Sequence, residues 1–548
     1  MKKLLLFLFL FPAMSLNLCG QDGDREFFGS CTSIMVGKQA SVDGSVITSH
    51  TCDGRYRTWM DIVPAQKHKK GTVTKILKGT LFTQTMDEIT QLQQAGKEYK
   101  ILPDSALHDF EVALGIKGEI PEAEETFAFL YTAYPSMNEK NLAIGETTIE
   151  GRKELENENG MFYIEELQRI ALQRCTTARQ AIQLMGKLVK AYGYADTGEC
   201  LTVADKNEVW HFEIFGEGKD KTGGVWAAQR IPDDHVGISA NIPRIGEINL
   251  KDKDHFMASE NVFEVAKKMN FWDGKSTFKF WQAYSGRKPF SIREWFVLSS
   301  VAPSLGLSLQ DEELPFSVKP EKPVSVRDVL KFFRSTYEGT EYDMTKNLLT
   351  TRTKPDSEET EILKSDYANP WLSKEMIASI NTIKDSTVAR VRNIAVPQCA
   401  YAHVIQIRNE TPDEIACVAY FANDNPAQSP RLPVYAAILQ TPGAFQISGH
   451  KRFTAGSAAW IYRQTNKLAT IRWQESRKKL EERRDYFENK LFGEQGKIDN
   501  EAIKILKEQG KQAFQEYLST YLRDFSAETL DTWSKLRDEL WYTFIRGL

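Results

Sequence analysis

Cys31 opens the run Cys31-Thr-Ser-Ile-Met-Val-Gly, 11 residues beyond the end of a leader-like segment. Removing everything through Ser30 would turn this mid-chain thiol into the first residue of the chain. Nucleophile and candidate base then share one residue, an arrangement known for threonine with an N-terminal amine and chemically open to cysteine. A free thiol has a pKa of about 8.5 and an α-amine about 7.7–8.0, so each is partly deprotonated at neutral pH. The amine can take the thiol proton and later protonate a leaving amine, with a thioester between the two steps. Taken alone, a cysteine reads as a buried small hydrophobe. Its place behind a leader is what points to chemistry.

Residues 1–20 read MKKLLLFLFLFPAMSLNLCG, with Lys2 and Lys3 ahead of an apolar run from Leu4 to Phe11. The run is too short to cross a bilayer and has the pattern of a secretory signal peptide. Cys19 would be a lipidation point, but Leu18 stands where a small residue is expected. Export to the periplasm or medium without a lipid anchor is therefore expected, with residues 21–30 as a pro-segment. A net charge of −4 with mixed signs gives no footprint for nucleic acid or an anionic membrane. None of the seven cysteines forms a C-x-x-C pair, so neither a metal nor another cofactor is expected. No H-E-x-x-H or G-x-S-x-G occurs, which removes the common metalloprotease and serine-hydrolase patterns.

The elements that must position Cys31 follow from pattern. Thr32–Val36 and Ser45–Ser49 read as strands around the turn dipeptide Asp43-Gly44, a hairpin over 31–50 with Cys31 at its free end. Helical spacing occupies 163–192, in two helices separated by a cap at Thr176-Thr177. Cys200–Ala204 and Val209–Phe215 form a second hairpin, 225–229 and 236–241 supply two more strands, and 402–407 pairs with 415–421. The charged stretch 351–386 reads as a surface excursion. From about Ser476 the chain turns helical, and Ser526 is placed as N-cap of a helix over 527–545. This tail, 476–548, is expected to pack on the core or to build a subunit interface, which would make a homo-oligomer. Hairpins first, helices next, then hairpins again predict an α+β fold with antiparallel sheets.

Cys31-Thr-Ser-Ile-Met-Val-Gly-Lys-Gln-Ala-Ser-Val-Asp-Gly-Ser45 closely resembles the opening of the cysteine-type dipeptidases, relatives of dipeptidase A among the N-terminal nucleophile hydrolases. Ala143-Ile-Gly-Glu-Thr-Thr148, Trp226–Asp234, Ile238–Ile248, His403–Arg408 and Ser457–Trp460 resemble later stretches of that family in the same order, covering about 31–475. The resemblance implies a four-layer αββα sandwich of two antiparallel sheets between helical layers. It also implies hydrolysis of dipeptides or short peptides by Cys31. Asp53 matches the superfamily position that holds the nucleophile's amine, and Asn241 the position of an oxyanion-hole amide. Thr148, Arg392 and His403 lie in family-like stretches and are candidates for substrate binding. Each has a plainer reading: Asp53 as a turn residue before Gly54, Asn241 as a turn residue before Pro243, the others as satisfied strand residues. The family's usual Arg-Asn-x-Asp is His50-Thr51-Cys52-Asp53 here, so either His50 replaces the arginine or it is simply a solvated polar residue.

Two other functions fit the same residues. One keeps the fold and hydrolyses non-peptide amides, as bile-salt hydrolases and penicillin acylases do. The other is a surface protein that retains the fold without activity, in which Ser30–Cys31 stays uncut.

Overall fold

A computed structural model of the chain describes residues 30–94, 114–157, 159–219 and 221–545. The expected signal peptide and nearly all of the expected pro-segment lie outside these residues. Two large antiparallel sheets dominate. One runs in the order Ser317–Val318, Val236–Ser239, Ser33–Val36, Val46–Asp53, Cys399–Ile407, Cys417–Asn423, Leu432–Tyr435. The other runs Phe256–Ala258, Gly224–Ile231, Val209–Gly216, Glu199–Ala204, Ala143–Thr148, Met137–Asn138, Phe129–Tyr131, Asp61–Val63. With long C-terminal helices beside them, the fold is mixed α+β.

The central strands are buried on both faces. Every residue of Val46–Asp53 and of Cys399–Ile407 is buried, including Thr48, Ser49, His50 and Thr51. Polar side chains at such positions must find partners inside the protein. Thr48 Oγ1 donates to the Thr202 carbonyl across the gap between the sheets (3.0 Å), and Ser33 Oγ to the Glu146 carbonyl (3.0 Å). Ala143–Thr148 thus lies directly against Val46–Asp53. Gly145 permits that approach, since a Cβ there would collide with the Ser49 carbonyl.

The expected strands exist, but two of their pairings differ. Ser33–Val36 meets Val46–Asp53 at one register pair, Val36 with Ile47, and pairs along its whole length with Val236–Ser239 instead. The long stretch from 37 to 45, with Gly44 at φ 75°, separates the two strands too widely for a tight hairpin. Strands 224–231 and 236–239 are consecutive in sequence yet belong to different sheets, the chain crossing between them at Pro232-Asp233. The expected strand from 415 begins as a short helix, Asp413–Ala416, and becomes extended at Cys417. The hairpin of Glu199–Ala204 with Val209–Gly216 matches expectation in full register. So does the cap: Thr177 accepts from the Gln180 N–H and starts the helix Ala178–Tyr192, whose apolar face of Ile182, Met185 and Val189 covers the eight-stranded sheet. The stretch 351–386 carries an exposed ribbon, Leu349–Thr353 with Thr360–Lys364, and the helix Lys374–Ile383.

At the end of the chain, Ala458–Ile471, Trp473–Gln509 and Lys511–Thr543 are helices. Ser526 is not an N-cap. It sits inside the last helix, buried, with its hydroxyl donating to the Arg523 carbonyl (2.8 Å). Serine tolerates a helix interior when it back-bonds to the preceding turn. The apolar stripe Phe514, Leu518, Leu522, Phe525, Trp533, Leu536, Leu540 runs past it without a break. Much of this stripe joins the same core as the seven-stranded sheet, where Tyr435 OH donates to Asp499 (2.7 Å). The six described cysteines are free thiols. Among the described residues, no helix is long and apolar enough to cross a membrane.

Replacing Gly145 with alanine is expected to destabilise the fold by ~2 kcal/mol, because overpacking between rigid layers forces backbone shifts. A denaturant midpoint equal to that of the parent protein would show that the sheets are not in contact at this point.

Candidate active site

Strand pairing brings Cys31 and Asp53 together. The Thr51 N–H donates to the Thr32 carbonyl (2.9 Å) and the Thr32 N–H to Thr51 Oγ1 (3.0 Å), so the start of one strand is tied to the end of its neighbour. Cys31 is 0% exposed. Burial, and then the charge of Glu146, push its thiol well above the ordinary range, so in this uncut chain the sulfur is protonated.

Two arginines grip the backbone around the sulfur, one on the Ser30 carbonyl and the other on the Cys31 carbonyl. Arg392 Nη2 donates to the Ser30 carbonyl (2.6 Å) and to Asp53 Oδ2 (2.8 Å), while its Nε donates to Ser30 Oγ (3.0 Å). Arg293 comes from the first turn of the helix Ile292–Val301, whose start is set by a Ser291–Glu294 capping box. Its Nη1 donates to the Cys31 carbonyl (2.7 Å), and its Nη2 to Asn241 Oδ1 (2.8 Å) and the Ala240 carbonyl (2.9 Å). Burial and the neighbouring Arg392 lower Arg293 to about 10, so it remains a cation at neutral pH. Arginine only donates, so it selects the oxygen of Asn241 and turns the amide nitrogen the other way. That nitrogen donates to the Thr148 carbonyl (2.6 Å). Asn241 has φ 67°, a left-handed conformation that asparagine tolerates better than most residues.

Asp53 is fully buried. Burial raises its carboxyl, against the pull of Arg392. Oδ2 accepts from Thr51 Oγ1 (3.1 Å) as well as from Arg392, whereas Oδ1 has no hydrogen-bond partner among the described residues.

A third group closes the site. The ligating atoms of Cys31, His50 and Glu146 lie within 4.8 Å of one another. His50 Nδ1 lies 2.6 Å from the Glu146 carbonyl oxygen and 3.2 Å from the Glu146 backbone nitrogen, and its Nε2 has no hydrogen-bond partner among the described residues. Burial lowers His50 to about 4, so the ring is neutral. Burial raises Glu146 to about 7, and its Oε1 accepts from Thr148 Oγ1 (3.2 Å). A thiol, an imidazole and a carboxylate at this spacing also form a ligand set suited to a transition metal, of which the sequence spacing gives no sign.

A family model described as Peptidase family C69 matches residues 30–486. The chain belongs to peptidase family C69. It is 26% identical over 447 residues to a protein named Probable dipeptidase from Latilactobacillus sakei, covering 80% of each chain. Dipeptidase A from Lactobacillus helveticus is 24% identical over 503 residues, 89% of this chain and 91% of that one. Probable dipeptidase B from Lactococcus lactis is 25% identical over 441 residues, 76% and 77% of the two chains.

In this C69 peptidase the expected residues fall into one connected network, apart from His403. Cys31, Asp53, Asn241, Thr148 and Arg392 are joined through shared partners. His403 pairs in register with His50 and lies against its ring (5.4 Å between centroids). His50 is neither a solvated residue nor a stand-in for the missing arginine: it is 1% exposed and uncharged. The positive charge comes from Arg293 and Arg392, which lie 262 and 361 residues beyond Cys31 in the chain. Arg293 and the side chain of Glu146 are the residues that sequence reasoning missed. Glu146 stands inside the quoted Ala143–Thr148 stretch, so its position was in view but its carboxylate was not.

Stability should carry the mark of these buried groups. His50, lowered from 6.5 to about 4, contributes stability that is present above pH 6.5 and lost as pH falls through 4. Glu146, raised from 4.5 to about 7, contributes stability that is present below pH 4.5 and lost as pH rises through 7. Going from pH 5 to pH 8, Glu146→Gln should therefore gain ~2 kcal/mol relative to the parent, at 1.36 kcal/mol per pKa unit. Denaturant titrations of both proteins at the two pH values measure this. An unchanged difference would mean that Glu146 is not held protonated by burial.

Proposed function

We propose that this C69 enzyme is an exported cysteine dipeptidase, activated by cleavage between Ser30 and Cys31. We further read its two sheets and their covering helices as the four-layer αββα sandwich of the N-terminal nucleophile hydrolases. The relatives' names support the dipeptidase activity, and the leader pattern of residues 1–20 supports export. The observation that carries the reading is the grip on the Ser30–Cys31 link, with Arg392 on one carbonyl and Arg293 on the next.

Cleavage would leave the new α-amine of Cys31 beside Asp53, whose unpartnered Oδ1 can accept from it. The amine takes the thiol proton as the sulfur attacks the substrate carbonyl. Negative charge then develops on the carbonyl oxygen, where the Asn241 amide N–H, aimed by Arg293, donates to it. The intermediate collapses to a thioester, and the proton held on the Cys31 amine passes to the leaving amine. Water, deprotonated by the same amine, releases the second product. Arg392 loses its Ser30 partners on cleavage, which frees donors for a substrate carbonyl or carboxylate. Thr148 acts on substrate through Asn241, and His403 through His50.

Cys31→Ala should abolish dipeptide hydrolysis, and Cys31→Ser should retain slow chain cleavage but lose most turnover. Ordinary activity in either variant removes Cys31 from the reaction. Asn241→Ala should lower kcat by ~10²–10³ with a smaller change in KM. A panel of dipeptides, bile-acid conjugates and penicillins separates peptide from non-peptide amide hydrolysis, and peptides alone should turn over.

A further inference from the structure

Beside the proposed nucleophile lies a buried acidic group without a counter-charge. Glu146 and Glu199 stand on adjacent strands, where Glu199 pairs in register with Thr148, and the two carboxyl groups are close enough to act on each other's titration. Both residues are buried, at 0% and 2% exposure, and Oε2 of each has no partner among the hydrogen bonds of the described residues. Glu146 makes no ion pair with a lysine or arginine among those residues. The basic group beside it, His50 Nδ1 at 3.7 Å, is kept neutral by burial. Buried carboxyl oxygens left unpaired cost free energy, and they persist where a ligand completes them.

The missing partner can be identified from the reaction geometry. When a cysteine sulfur bonds to the carbonyl carbon of an amino-acyl group, the α-nitrogen of that residue is two bonds further on. Standard bond lengths place it about 3–4 Å from the sulfur. A Glu146 oxygen lies within 4.8 Å of that sulfur. An ammonium brings three donors and a positive charge to the two carboxyl oxygens that have no partner among the described residues. We propose that Glu146, backed by Glu199, anchors the free α-ammonium of the substrate, so that the enzyme recognises the N-terminus of a dipeptide directly beside its nucleophile. This rests on Cys31 being the nucleophile. On binding, the proton shared by the carboxyl pair leaves to solvent and the substrate's ammonium takes its place, so no net charge is buried alone. An N-acylated peptide offers a neutral amide and extra bulk to the same place, and it is rejected.

The test uses mature enzyme with Ala-Ala and N-acetyl-Ala-Ala. The parent enzyme should favour the free dipeptide by at least ~100-fold in kcat/KM, the scale of a buried charge pair left without one partner. Glu146→Gln should raise KM for Ala-Ala by ~10-fold or more and leave N-acetyl-Ala-Ala within about 3-fold of the parent, collapsing the preference. Iodoacetamide labelling of Cys31 should persist in that variant. Should Glu146→Gln not mature, Glu199→Gln is expected to shift the same ratio in the same direction. The proposal is overturned if the parent hydrolyses both peptides comparably, or if the variant slows both alike with the preference intact, as a proton-transfer role would produce. Loss of labelling and activity in Cys31→Ala is read separately, so failure of the anchor is distinct from failure of the nucleophile.

Discussion

A carboxylate withdrawn from water organises this protein. Asp53 ends a strand that is buried along its whole length, and an ionised carboxyl there would be very costly without compensation. Arg392 supplies the charge and Thr51 a hydroxyl, yet one oxygen is left over. Arg392 in turn holds Ser30, so the residue preceding Cys31 is fixed by the same ion pair that solvates Asp53. Removing Arg392 would leave Asp53 without its counter-charge and Ser30 without its anchor. The proposed activation depends on this economy: the group released by cleavage appears next to the oxygen that lacks a donor.

The second constraint is the closeness of the two sheets. Where the strands at 46–53 and 143–148 meet, the space between them holds hydroxyls, a histidine and a glutamate instead of aliphatic side chains. Thr48, Ser33 and Thr147 tie the layers by hydrogen bonds, and Gly145 gives them room. Among the described residues the seam is left short at one end, where one carboxyl oxygen each of Glu146, Glu199 and Asp53 has no partner. An unmet Glu146 oxygen beside the Cys31 thiol is the pattern on which the proposed ammonium anchor rests.

Much of this was legible in the chain. Cys31 stood out by position, Asp43-Gly44 and Thr177 by local turn and cap chemistry, and Glu199–Ala204 with Val209–Gly216 by a four-residue connection that leaves one pairing open. What failed had physical causes. Ser33–Val36 prefers a partner 200 residues away because Val236–Ser239 offers full register, whereas the nearer strand meets it at one pair. Ser526 read as a cap because serine favours caps, but the apolar stripe on either side carried the helix through. Arg293 was invisible because its role depends on a helix N-terminus delivered to the site by tertiary packing, and no spacing in sequence encodes that distance. Buried polar strands also defeat the usual alternation of apolar and polar residues, so the Ser49-His-Thr-Cys52 run gave no hint that it faces protein on both sides.

The central claim is that the Ser30–Cys31 peptide bond, whose carbonyl Arg392 holds while Arg293 holds the next, is broken to make the catalyst. Mass analysis of the N-terminal peptide from purified, fully active enzyme tests it most directly. The account predicts a chain that begins at Cys31 with an unblocked α-amine. Full activity in a chain that still carries Ser30 joined to Cys31 would contradict it.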